Sequence, residues 1–130
     1  MFELTKTFRF EASHQLLDHD GKCARLHGHS WVFKLRTTGD YIAATGAKRH
    51  MLVDFGRLSE IGKAIVAIFD HQHLNDVLEE RHVTSEWLAR WIYLYCFGNH
   101  GPLITEVEVE ETCTSACRYW RTAGVDVMDR

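Results

Sequence analysis

Apolar and polar residues alternate at the start of the chain. Phe2, Leu4, Phe8 and Phe10 fall on even positions, the period-two pattern of a strand with one buried face. The same parity continues through Ala12 to His14. Residues 30–38 repeat the pattern, with Trp31, Phe33 and Leu35 on odd positions. Residues 39–49 are small and polar and read as a hairpin loop, and residues 51–53 as a short returning strand. Asp54 stands where an N-cap is expected, ahead of a helix with Leu58, Ile61, Ile65 and Ile68 on one stripe. Residues 70–81 contain histidines and read as a loop. A second helix begins near Thr84 or Ser85, with Glu86 in its first turn, where a carboxylate suits the dipole. Leu88, Trp91, Ile92 and Tyr95 form its apolar face, and Gly98-Asn99 stops it. A last strand over residues 103–111 turns Leu103, Val107 and Val109 inward and Glu106, Glu108 and Glu110 outward. This order predicts an α+β fold: a four-stranded antiparallel sheet with two helices on one face, in a single domain over residues 1–130.

Composition narrows the function classes. The 130 residues are 45% hydrophobic and 25% charged, which suits one globular domain with its own core. A net charge of −3 supplies no basic field for nucleic acid. The longest apolar runs, residues 64–69 and 91–97, are too short to span a bilayer, so no membrane partner is expected. Residues 1–6 show no basic stretch followed by an apolar one, so a cytoplasmic location with four reduced cysteines is expected.

The histidines carry the sharpest chemistry. His27 and His29, one residue apart in an extended segment, project to the same side. They share the parity of Trp31, and Gly28 between them lets backbone approach closely. His14 stands in the same relation to Phe8 and Phe10. Three neutral imidazoles with one open position form the ligand set of a catalytic zinc ion. His71 and His73 offer a competing pair, although Asp70 beside His71 suits a carboxylate that orients an acid–base imidazole. Cys23 is flanked by Lys22 and Arg25, cations that favour a thiolate. It is either a fourth ligand that closes a structural site or a base beside the metal. Cys96, Cys113 and Cys117 read as packing residues. Glu111 breaks its strand's pattern by standing at an inward position, which is costly unless the carboxylate is paired. Its two oxygens match a planar heterocycle carrying an amino group beside a ring N–H.

Several segments together resemble one family: Phe10-Glu11-Ala12-Ser13-His14, Cys23-Ala24-Arg25-Leu26-His27-Gly28-His29, Val53-Asp54-Phe55, Asp70-His71-Gln72-His73-Leu74-Asn75, Thr84-Ser85-Glu86 and Glu111-Thr112-Cys113-Thr114. In content and order they resemble the 6-pyruvoyl tetrahydropterin synthase superfamily, and within it most the bacterial 6-carboxytetrahydropterin synthases of queuosine biosynthesis. The resemblance implies a tunnelling fold whose subunits join sheets into a barrel, as a hexamer of two trimers. It implies a zinc-dependent lyase acting on 7,8-dihydroneopterin triphosphate, with His14, His27 and His29 on Zn2+. Cys23 is then the base, and His71, oriented by Asp70, its acid–base partner. Glu111 anchors the pterin, and Thr84, Ser85 and Glu86 line its pocket. The alternatives are a 6-pyruvoyl tetrahydropterin synthase proper, or a zinc-stabilised binding module without turnover. Val83 stands where the family often has Pro, Ala116 where Gly is expected, and the loop 43–50 is slightly longer than usual.

Overall fold

A computed structural model describes residues 1–122. Its core is a five-stranded mixed sheet. β1 (Phe2–His14) and β2 (His27–Gly39) pair antiparallel along their whole lengths, with Phe8 opposite Phe33 and Phe10 opposite Trp31. β3 (Gln72–His73) adds to the outer side of β1 in parallel. β4 (Glu106–Thr112) pairs antiparallel with β2, and β5 (Ser115–Trp120) with β4, giving the order β3-β1-β2-β4-β5. The alternation read from the sequence sets which face is buried: Phe8, Phe10, Trp31, Phe33, Leu35, Val107 and Val109 all lie in the core.

Helices α1 (Phe55–Phe69) and α3 (Ser85–His100) cover that one face, α1 over β1 and α3 over β4 and β5. Asp54 caps α1 by accepting from the Gly56 N–H, and Thr84 caps α3 by accepting from the Trp87 N–H. α1 buries Leu58, Ile61, Ile65 and Phe69, and α3 buries Leu88, Ile92 and Cys96. Each large apolar side chain taken fully from water contributes about 1.5–3 kcal/mol. α1 can sit this close to β1 because Gly62 has no side chain: a Cβ there would fall inside the Phe8 ring.

Four expectations are corrected. Residues 51–53 form no strand; Leu52 and Val53 instead follow the bends of the 43–50 loop, which Lys48 ties to Asp54 by an ion pair. The sheet has five strands rather than four, and β3 makes it mixed. β5 escapes the pattern because Trp120 is exposed and Cys117 and Tyr119 are only half-buried. Within residues 70–81, Leu74–Leu78 forms a short helix, α2, and α3 runs past Gly98-Asn99 to end at Gly101, whose φ of 69° suits glycine.

The opposite face is polar but not freely solvated. Glu106 is only 8% exposed. Arg118 grips it with two hydrogen bonds of 2.9 and 2.8 Å, and Arg36 bridges it to Glu108 at 2.8 and 2.7 Å. The two guanidiniums hold the Glu106 carboxyl below the usual carboxylate range, against the burial that would raise it.

Candidate metal centre

The β1–β2 ladder assembles the site. His14 stands opposite His27, and Ala12 opposite His29, so the three imidazoles leave two adjacent strands on the helix-covered side. Their ring centroids lie 4.4 to 5.0 Å apart. Trp31 closes the site toward the core, its indole edge-on to His14 at 4.9 Å and to His29 at 5.3 Å. Gly28 is less constrained than its sequence context suggests, because a Cβ there would meet the Ala12 carbonyl at an ordinary 3.4 Å.

Two rings have a fixed tautomer. His14 Nδ1 bonds the Val83 carbonyl at 2.8 Å, and His27 Nδ1 bonds the Arg25 carbonyl at 2.7 Å. A carbonyl only accepts, so both Nδ1 atoms carry the proton and both Nε2 atoms keep a lone pair. The Nε2 atoms of His14 and His29 are buried without a hydrogen bond, which costs about 1–3 kcal/mol apiece if nothing else satisfies them. Glu111 Oε1 lies 3.0 Å from His29 Nε2 and 3.9 Å from His14 Nε2, out of hydrogen-bonding alignment with either, so these electron-rich atoms face one another unless a cation lies between them. One ligand atom from each of His14, His27, His29 and Glu111 falls within 4.8 Å of the others. Burial holds the His14 and His29 imidazoles below their ordinary pKa, with neighbouring histidines adding to the effect and Glu111 opposing it. Neutral imidazoles with free, buried lone pairs beside a carboxylate fit a divalent transition metal that favours nitrogen and oxygen donors.

Glu111 shares the inward parity of Val107 and Val109 and stands where β4 is irregular, between Glu110 and Thr112. Ser85, in the first turn of α3, donates to its Oε2 at 3.0 Å. Thr84 beside it is engaged as the α3 cap, and Glu86 is exposed, near Cys117. The described structure therefore joins Ser85 to the cluster through Glu111, and gives Thr84 and Glu86 no contact with it. Cys23 lies half-buried in a short 3-10 turn, Lys22–Ala24, that bonds back to Leu16; its thiol is outside the set of four ligand atoms. Burial pushes the Cys96 thiol up to about 12, in keeping with a packing role. Cys113 is exposed, which does not fit the packing role expected of it.

Asp70 and His71 sit at the other edge of the site. Asp70 Oδ1 accepts the Glu11 N–H at 2.9 Å, and Oδ2 lies 3.0 Å from His71 Nδ1. These bonds hold the Asp70 carboxyl below the usual range, the Glu11 N–H more than His71. His71 has a left-handed backbone, φ 61°, fixed by its N–H bond to the Glu11 carbonyl at 2.6 Å. Its side chain is exposed and lines a 470 Å³ cleft together with His29, Ser30 and His73. A second cleft, of 530 Å³, lies between His29, Glu111 and Cys113. His29 thus borders both, with Asp70–His71 on one side and Glu111 on the other. Two contacts escape the sequence reading: the Ser13–His73 side-chain bond of 2.9 Å and the Val83 carbonyl on His14. The first follows from the parallel pairing of β3, but a backbone oxygen leaves no mark in a sequence.

Among the described residues no helix is long and apolar enough to cross a membrane. The family model described as 6-pyruvoyl tetrahydropterin synthase matches residues 3–122. A Synechocystis protein named 6-carboxy-5,6,7,8-tetrahydropterin synthase is 41% identical over 121 residues, covering 92% of this chain and 94% of that protein. A Haemophilus influenzae protein of the same name is 31% identical over 140 residues, covering 92% and 99%. Among solved structures, the 6-pyruvoyl tetrahydropterin synthase of Caenorhabditis elegans superposes with a TM-score of 0.78 at 21% identity, over 93% of this chain and 96% of that one, a likeness of fold.

Proposed function

Since the chain belongs to the 6-pyruvoyl tetrahydropterin synthase family, we propose that it is a zinc-dependent 6-carboxytetrahydropterin synthase. With one water taken up, it converts 7,8-dihydroneopterin triphosphate to 6-carboxy-5,6,7,8-tetrahydropterin, with release of acetaldehyde and triphosphate, in queuosine biosynthesis. The observation that carries the reading is the pair of buried, unpartnered Nε2 atoms in a three-histidine cluster that opens onto two clefts. The reading includes a cytoplasmic location and assembly as a hexamer of two trimers.

His14, His27 and His29 hold the zinc ion, which when bound supplies Lewis-acid stabilisation of charge developing on the substrate's side-chain oxygens. Cys23, outside the ligand set, removes a carbon-bound proton, with Lys22 and Arg25 close to it in the sequence. His71 exchanges protons elsewhere on the side chain. The ionised Asp70, 3.0 Å from its Nδ1, favours the proton on that nitrogen and leaves Nε2 as the exchanging atom. Glu111 accepts from the pterin's amino-pyrimidinone edge. A carboxylate has about four acceptor positions, so the single bond from Ser85 leaves room for a two-pronged ligand while fixing the group's direction. Thr84 and Glu86 flank Ser85 at the lip of this pocket.

One observation favours a second reading. Glu111 lies close enough to the imidazoles to be a fourth ligand, and a closed site of three histidines and a carboxylate would make a structural module rather than a catalyst. Incubating the zinc-loaded chain with 7,8-dihydroneopterin triphosphate and following products by mass separates the possibilities. The carboxylated pterin with acetaldehyde is expected. Triphosphate release without acetaldehyde would mean a 6-pyruvoyl tetrahydropterin synthase, and no turnover would leave the module.

A further inference from the structure

Asn75 is buried, at 8% exposure, yet none of its hydrogen bonds goes to a proposed chemical group. Its amide is fully occupied with backbone. Oδ1 accepts the Gln15 N–H at 2.8 Å. Nδ2 donates to the carbonyls of Gln15 at 2.8 Å, Glu80 at 3.0 Å and Arg81 at 3.1 Å, its two hydrogens shared among three acceptors. Gln15 is the residue after His14. Arg81 lies two residues before Val83, whose carbonyl fixes the His14 ring at Nδ1. The two segments also pair directly: the Leu17 N–H donates to the Arg81 carbonyl at 3.1 Å, and Leu16 bridges His82. One side chain therefore grips both the backbone that carries His14 and the backbone that orients its ring.

We propose that Asn75 is a positioning residue for the metal centre. By clamping residues 80–83 to Gln15, it places the Val83 carbonyl at Nδ1 and so aims the Nε2 lone pair of His14. This rests on the reading that His14 is a metal ligand. An amide is needed because the site requires an acceptor for one N–H and donors for three carbonyls at the same point. Aspartate would supply the first and repel the rest, and alanine would supply neither.

The test measures zinc affinity by chelator competition on the full chain, in the wild type, Asn75→Ala and Asn75→Asp. The control is Cys96→Ala, which opens a core cavity roughly three turns along α3 from Ser85. Loss of an outer-shell partner lowers metal affinity by about 10–100-fold. That drop is expected in the Asn75 variants, with the affinity of Cys96→Ala unchanged. A second readout needs no metal: in the metal-free chain the 15N shifts of His14 should report a single Nδ1–H tautomer in the wild type and a mixture in Asn75→Asp. If the wild type binds zinc and the Asn75 variants match Cys96→Ala, with His14 unchanged, the positioning role is overturned alone. If the wild type fails to bind zinc, the metal reading beneath it falls as well.

Discussion

The His14 ring has one nitrogen committed to a carbonyl and the other buried and bare, and the residue-scale consequences follow from that asymmetry. His14 and His29 titrate below the ordinary histidine value in the folded chain because burial disfavours their charged forms. In the window between that depressed value and about 6.5, the unfolded chain binds more protons than the folded one. Metal-free stability should therefore fall as pH drops through and below 6.5, as checked by urea midpoints at pH 7.5, 6.5 and 5.5; a flat profile would mean that the rings are not buried neutral. Two substitutions separate ligands from acid–base groups. Cys23→Ala should keep stoichiometric zinc and lose turnover by at least about 100-fold, whereas loss of zinc would make the thiol a ligand. Glu111→Gln should likewise retain zinc but raise KM for the pterin, since an amide presents a donor where the ligand also donates. Metal analysis beside steady-state kinetics decides whether this carboxylate serves the substrate or the cation.

At the scale of elements, the site depends on strand register and helix seating more than on loops. A one-residue slip between β1 and β2 would turn His27 and His29 to the polar face. The stacked Phe8–Phe33 rings, 5.1 Å apart, and the Phe10–Trp31 pair help fix that register. α1 presses on the same aromatic layer through Gly62. Gly62→Ala should gain about 1 kcal/mol of helix propensity and lose about 1–3 kcal/mol by displacing Phe8 from its packed position. A net loss of stability, read from denaturant midpoints, is expected; a stabilised variant would show that the Phe8 ring moves freely.

For the molecule as a whole, the sheet ends are the unfinished feature. β3 covers only the Ala12–Ser13 end of β1, leaving residues 2–10 along that edge without a strand partner among the described residues, and β5 is paired on one side only. Unpaired edges of this length invite pairing with another chain, and the hexamer proposed above would close them with further copies. Light scattering is expected to give six times the chain mass of 15.1 kDa. A monomer retaining full turnover would remove the need for any neighbouring subunit at the site.

Much of this was legible in the linear sequence. Strand parity placed His14, His27 and His29 on the buried side because side-chain direction in a strand is set by position alone. The Asp54 cap was visible because a short polar side chain satisfies helix N–H groups locally, while the start of α3 was narrowed to Thr84 or Ser85. The minor strands β3 and β5 were not, since two residues of pairing and a half-buried hairpin arm carry almost no periodic signal. Folding in three dimensions brought Glu111 beside the imidazoles, Asp70 against the Glu11 N–H, and the Val83 carbonyl onto His14. Those contacts span separations of 59 and 69 residues in the last two cases. Such partners are chosen by packing and by the need to satisfy backbone groups, neither of which local spacing encodes.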